Sequence, residues 1–490
     1  MAKVALPISG GSYQDESSPV SQQQLINMYV DVVQAPALSQ EVLKGMAGIN
    51  ELANTGTIQQ VNRGMETFKD RCYEVNGTEL SRLNRTIDGD GNETFDIEVL
   101  DQNIAGEGFV FMVSNGSQLM ILVPGGNGYI FVDDPDSLTT IVAAGFTANG
   151  APQTVEYIGS YFVCTTDTKR AIVSKGDDGL VWNSLDFFEA NADPDPLVGQ
   201  IEHKGQLFLF GSQTTQVAKV EITSGVPVQI QDGFELSQGL SAPFGVAPTK
   251  NTFAWVGAGK DESPAIWIFD GSDGQKISTT AIDVKLQNLT DTELQDIHAL
   301  SYAQKGAYFV LFFLPDTALV FNAITSKWQD AQSDIIDGNG DKITTRLRIN
   351  SLTTAYGRIV VGDSQDGRIG ELSPEIFSEY GNEIKRTLIT QPFSAMGNSL
   401  FVPMIEMTTE SGVGNSEYPD PVIRMSRGED GHTFGDERTR KLGKRGRYQT
   451  RQIWYRNGRA ERFEAFKYVS SDKVKNVWIK LEADIRQGSR

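Results

Sequence analysis

GAYFVLFFLPDTALVFNAITSKW, residues 306–328, decides the reading of the chain. Residues 308–314 form a short apolar run rich in Phe and Val. Pro315-Asp316 breaks it, residues 318–321 form a second run, and 322–326 turn again before Trp328. A run this short with an immediate breaker reads as a strand buried on both faces, because a buried helix needs more residues before its first breaker. The stretch is a β-hairpin, and weaker copies of it recur. Residues 68–83 and 109–123 hold pairs of strand-like runs around Asn76-Gly77 and Asn115-Gly116, a strong signal for a tight hairpin turn. Residues 157–173, 205–220, 252–270 and 358–372 complete the set.

Taking Tyr73, Phe111, Phe162, Phe208, Ala254, Phe309 and Ile359 as equivalent gives steps of 38, 51, 46, 46, 55 and 50 residues. That period is close to a four-stranded propeller blade, with each copy as the inner pair of strands. Closing such sheets into a ring leaves only short edges exposed. The expected fold is all-β: a β-propeller of six to eight blades over residues 56–382, after an N-terminal arm (1–55) and before a smaller antiparallel β-domain (383–490). A pair of β-sandwiches, with strands every 8–12 residues or so, is the alternative.

The arm carries loop signals at Gly10-Gly11-Ser12 and Ser17-Ser18-Pro19. Its residues 25–33 read as a strand or a short helix, in an arm that crosses a neighbouring subunit or lies loose on the surface. Helical signal is scarce. Thr290 and Glu293 form a capping box before a short helix that includes His298, and Ser373-Pro374-Glu375 opens another that Gly381 ends. After residue 383 the strands lengthen. Residues 448–456 meet Asn457-Gly458 and return as 460–469, and 474–485 alternate apolar with charged, as in one sheet with a buried and a wet face.

The 490 residues include 49 Gly and only 18 Pro, which suits many short strands and tight turns. The net charge of −20 is unevenly placed. Residues 421–490 carry 18 Lys+Arg against 9 Asp+Glu, a net of +9, and the preceding 420 carry 25 against 54, a net of −29. An acidic body repels phosphate, so that surface does not grip nucleic acid. The basic region meets phosphate or an acidic protein face, or is a solvated sheet surface. Cys72 and Cys164 make neither a disulfide framework nor a Cys-X-X-Cys metal spacing, which fits a reducing compartment. The opening residues lack the apolar core of a signal peptide, and no apolar run approaches the roughly 20 residues that span a membrane.

No catalytic or metal constellation stands out. His203, His298 and His432 lie far apart, and no nucleophile elbow or phosphate-binding loop is present. Asp88-Gly-Asp90-Gly-Asn92 starts like a calcium loop, but the sixth position is not Gly and Val99 fills the twelfth, where a bidentate Glu is needed. Asp337-Gly-Asn339-Gly-Asp341 has the same weakness, and both read as acidic turns. Residues 427–434, RGEDGHTF, approximate the Asp-box, a structural turn of sialidases and other propellers. A propeller glycosidase would need paired carboxylates in the central funnel.

Several stretches in order resemble the tail nozzle (tail hub, head-completion) protein of short-tailed bacteriophages. They are Leu25-Ile-Asn27-Met-Tyr29, residues 45–49, Arg63-Gly64 and Tyr73-Glu-Val75-Asn76-Gly77, then residues 186–196 with Gly211-Ser212-Gln-Thr214. Leu314-Pro315 with residues 319–321 and Trp328 follows. Asp430-Gly431-His-Thr-Phe434-Gly435, Gly446-Arg447-Tyr448 and Gly458-Arg459-Ala-Glu-Arg462 close the series. The resemblance covers residues 25–482. It implies a propeller protein without enzymatic activity or cofactor, six copies of which form a tube below the portal and its adaptor ring. That tube, part of the virion tail and assembled in the host cytoplasm, retains packaged DNA and conducts it out without binding it specifically or inserting into membrane. Tail fibres or tailspikes attach to its sides, and a plug or needle closes its tip. Arg445, Arg447, Arg456, Arg459 and Arg462 are the candidate contacts to a subunit or the adaptor. The competing readings are a polysaccharide-degrading propeller enzyme and a monomeric interaction scaffold.

Overall fold

The computed structural model describes residues 3–17, 20–56, 60–190, 195–221, 225–336, 338–394 and 398–488. Ser18-Pro19, residues 191–194 of the 186–196 stretch, and Asp337 lie outside the described residues.

The hairpin at 306–328 is built as its sequence dictates. Ala307–Phe313 pairs with Ala318–Asn322, and Phe309 faces Asn322 in register. Val310, Phe312 and Phe321 enter one hydrophobic core, whereas Phe309, Leu311 and Val320 enter another. The run is unbroken because alternate side chains fill two different cores, each contributing about 1.5–3 kcal/mol relative to exposure.

Six consecutive four-stranded antiparallel sheets are made of contiguous chain: blade 1 (62–101), blade 2 (111–140), blade 3 (152–189), blade 4 (197–236), blade 5 (246–276) and blade 6 (298–336). Blade 7 (349–373) supplies only three strands, and its fourth is Gly48–Asn54 from the arm, antiparallel to Arg368–Ser373. Counting contiguous sheets alone gives six, and the borrowed strand completes a seventh within the expected range. Separate hydrophobic cores fill every junction around the ring, the last joining blade 7 to blade 1 through Val360, Ile369, Cys72 and Leu83. The first strands of neighbouring blades touch, so these strands lie nearest the axis.

The recurring hairpin is therefore the second and third strands of a blade, not the inner pair. Blade 2 departs from this rule, since residues 109–123 are its first and second strands, Phe111–Ser114 and Leu119–Leu122. That offset of one strand explains the uneven steps of 38 and 51, and with Met120 as the equivalent position they become 47 and 42.

The remaining strands form a sandwich rather than a single sheet. One sheet runs Met28–Val32, Glu41–Gly45, Val477–Gln487, Leu400–Thr409 and Gln452–Tyr455. The other runs Gln22–Ile26, Arg386–Ile389, Ala465–Ser470, Val422–Gly428 and Arg438–Lys441, and joins the outer strand of blade 6 at Ile26 and Asp330. Leu25, Leu43, Trp454, Tyr468 and Trp478 are fully buried between them. The expected hairpin across Asn457-Gly458 does not form. Arg456 (φ 58°) and Gly458 (φ 93°) turn the chain from one sheet to the other, so Trp454 and Tyr468 face each other at 5.6 Å.

The arm does not lie loose on the surface; its strands are built into both sheets of the sandwich and into blade 7. Asn27 is its pivot, in the left-handed region at φ 55° that Asn tolerates. Its side-chain Nδ2 donates to the carbonyls of Gln332 (2.9 Å) in blade 6 and Lys385 (3.0 Å) beside the sandwich, and its Oδ1 accepts from the Gln332 N–H (3.0 Å). The capping-box helix at Asp291–Gln295 forms as expected, but His298 lies beyond it and opens a strand. A second helix, Thr280–Gln287, places Ile282 and Leu286 in the junction between blades 5 and 6. No helix forms at Ser373-Pro374-Glu375. That segment wraps the arm strand instead: Gly48 N–H donates to the Ile376 carbonyl and Tyr380 N–H to that of Ile49.

Replacing Asn27 with Ala removes these three bonds and leaves buried backbone groups unsatisfied, at a cost on the order of 3 kcal/mol. The measurement is thermal unfolding of the full chain. An unchanged midpoint would show that the pivot holds nothing.

Candidate functional site

At the starts of the first strands, aromatic rings reach across the propeller axis. Phe111 of blade 2 stacks on Phe244, which precedes the first strand of blade 5, at 4.0 Å and 11°. Phe109 lies 5.4 Å from Phe244 and 4.5 Å from His298 of blade 6. His298 in turn stacks on Phe313 at 4.3 Å and 3°. Blades 2 and 5 stand on opposite sides of the ring, so the stack bridges the axis where a propeller enzyme opens its funnel. Arg346 sits over Phe313 at 5.4 Å, with its Nη1 3.4 Å from His298 Nε2. Burial first, and the Arg346 charge second, push His298 well below its ordinary pKa. The ring is neutral and serves packing.

Towards the other end of the axis, Glu66, Glu156 and Glu202 occupy late positions on the first strands of blades 1, 3 and 4. Burial raises Glu66 to about 7. Burial, then the charges of Glu202 and Glu66, raise Glu156 to about 8. All three side chains are half-buried. An open cleft of about 550 Å³ lies elsewhere, between blades 6 and 7 beside residues 382–383, lined by residues including Asp334, Lys342, Arg348 and Arg368.

The acidic loops are self-satisfied turns. Asp88 Oδ1 accepts from the N–H groups of Asp90 (2.9 Å) and Asn92 (2.8 Å) at a hairpin tip. Asp430 accepts from those of His432 (2.9 Å) and Thr433 (2.7 Å), so the Asp-box-like stretch is a structural turn, in the sandwich rather than in a blade. Among the described residues no group of three or more His, Cys, Asp or Glu is placed to hold a metal ion. Cys72 and Cys164 are free and buried.

The five arginines singled out in the sequence are all exposed on the sandwich, in two groups at opposite ends of Gln452–Tyr455. Arg445 and Arg447 precede that strand, and Arg456, Arg459 and Arg462 follow it. Arg459 meets Glu461 at 3.4 Å and lies over Phe401 at 5.7 Å; Arg462 lies over Phe463 at 4.7 Å. Among the described residues Arg445, Arg447 and Arg456 form no ion pair. Tyr448 is 74% exposed, Tyr455 55% and Phe401 39%. The sequence reading missed Arg438 and Arg440. Arg440 Nε donates to the Ile453 carbonyl (2.5 Å) and Arg438 to that of Tyr455, sealing the edge strand. Their alternation in Arg-Thr-Arg was the available signal.

The molecule is a closed propeller with an aromatic bridge on its axis, joined to a β-sandwich. Two family models match, one described as the β-propeller of bacteriophage P22 Gp10 over residues 4–377 and one as its β-sandwich over 385–486. The chain belongs to the bacteriophage P22 Gp10 family. It is 22% identical over 287 residues to the tail hub protein gp10 of Salmonella phage P22, a match covering 57% of this chain and 58% of that protein. Among solved structures, the WD40 β-propeller domain of Doa1 aligns at TM-score 0.37 and 11% identity, over 66% of this chain and 97% of that one. U3-55K aligns at 0.39 and 12%, over 67% and 100%. The propeller assignment rests on the sheet topology, not on these alignments.

Glu156 retains its proton up to about pH 8 in the native state, whereas an unfolded glutamate loses it near 4.5. Between these values the native state binds more protons, so stability falls as pH rises through the window. Glu156→Gln is expected to flatten that fall between pH 6 and 8 in denaturant melts. An unaltered pH profile would contradict the raised pKa.

Proposed function

We propose that the protein is the hub of a short phage tail: a hexameric nozzle below the portal and adaptor ring that holds packaged DNA in, conducts it out on ejection, and anchors tail fibres or tailspikes. The single observation that carries this reading is membership of the Gp10 family over both domains. The division into an arm (1–55), a propeller (56–382) and a β-domain (383–490) belongs to the same proposal. In it the sandwich faces a neighbouring subunit or the adaptor through Arg445, Arg447, Arg456, Arg459 and Arg462.

Two further observations support it. Aromatic rings occupy the propeller axis, so in this reading DNA runs between copies and not through a blade ring. The body carries a net charge of −29, and a surface of that sign lets DNA slide past without sticking. The tail plug or needle and the host-cytoplasmic site of assembly follow from the same reading.

Virions assembled without this chain are expected to lose their packaged genome. The measurement is the nuclease-protected DNA per particle, with and without the protein supplied in trans. Full protection in its absence would remove the DNA-retaining role.

A further inference from the structure

We propose that the basic, aromatic face of the sandwich docks onto the acidic outer rim of blades 1 and 2 of a second copy of this chain. The proposal rests on the reading that copies associate into a ring, and names the two surfaces that meet.

The acidic surface is the long outer hairpin of blade 1, Glu79–Ile87 and Glu93–Asp101. Residues 79–101 hold seven carboxylates and two arginines. Arg82 is shared between Glu98 (2.8 Å) and Asp136 of blade 2 (3.1 Å), which ties the two blades' rims together and adds the acidic turn at 133–136. Glu93 is held between Arg85 and Arg358. Those pairs leave Asp90 and Asp96 exposed and without an ion pair among the described residues. On the same hairpin Ile87 is 54% exposed and Val99 43%. An exposed edge strand that carries apolar side chains offers a partner both unpaired backbone and apolar contact.

The opposing surface has the matching composition. Arg445, Arg447 and Arg456 lack an ion pair among the described residues, beside the exposed rings of Tyr448 and Tyr455. Exposed Tyr with Arg is the composition of interface hot spots rather than of a solvated face.

These two surfaces cannot meet within one copy. The sandwich is carried on the outer strand of blade 6, two blades round the ring from blade 1 and three from blade 2. Each copy therefore presents a basic face on one flank and an acidic one on another. That is the arrangement of a head-to-tail contact, which closes into a ring when the rotation permits. Attraction of opposite charges selects this pairing over face-to-face contacts of like charge. The acidic hairpin at 85–98, which the functional reading left without a role, then has one.

The test uses the full chain in sedimentation velocity across concentration and salt. Three variants are compared with the unaltered chain: Arg445→Glu with Arg447→Glu, Asp90→Arg with Asp96→Arg, and all four together. The unaltered chain is expected to associate, roughly tenfold or more weakly at high salt, where screening shortens the range of the charges. Each two-residue variant should weaken association at least about tenfold, and the four-residue variant should restore it. Circular dichroism confirms that the variants fold. A chain that stays monomeric at about 100 µM, where an interface of ordinary size associates, would overturn the proposal. So would variants that associate like the parent, or a four-residue variant no better than the others. Six-fold assembly on the adaptor that ignores both reversals would remove this contact and leave the tail role standing.

Discussion

Everything in this molecule depends on where the first fifty residues pair. Gly48–Asn54 supplies the fourth strand of blade 7. Gln22–Ile26 lies between blade 6 and the second sheet of the sandwich, and Met28–Val32 with Glu41–Gly45 extends the first. Asn27 stands where these meet and bonds to both sides. The chain must therefore bring its beginning back against residues 330–389 and 477–478. Such pairing is slow to form because the entropy of closing long loops is lost before any contact compensates it. Once formed, it leaves neither domain with an independent edge at the junction.

The constraint also shapes what the propeller does. Seven inter-blade cores fill the ring, and aromatic rings meet on its axis. Its buried titratable groups, Glu156 and His298, are held neutral by burial and by neighbours of the same sign. What remains available is the outside: an acidic body, a basic sandwich face, and exposed outer hairpins. A protein organised in this way acts through its surfaces, which accords with a structural place in a tail.

Much of the fold was legible in the sequence because blades write themselves as short apolar runs at a regular spacing. The Asn-Gly turns at 76–77 and 115–116 marked true hairpins. What was not legible was long-range. Nothing in residues 22–54 says that they complete distant sheets, because a strand's sequence records that one face is buried but not by what. The sandwich was misread as one sheet for the same reason: Gln452–Tyr455 and Ala465–Ser470 look like a hairpin locally, yet the turn between them sends the second strand across the core. Ser373-Pro374-Glu375 shows the converse, a local helix signal overridden by pairing with Gly48 and Ile49. Of the site, the five arginines were picked out in the sequence and all five are exposed, Arg459 within a short strand. The aromatic bridge was not, since Phe109, Phe244 and His298 are brought together only by closure of the ring.

The central claim is that this chain builds a conduit between copies and not through its own propeller. Electron cryomicroscopy of the protein assembled on its portal and adaptor tests it most directly. The account predicts a six-fold tube whose lumen lies between subunits, with density for Phe109, Phe111, Phe244 and His298 bridging each propeller axis. A single copy on the tail axis, with an open propeller channel in line with the portal, would contradict it.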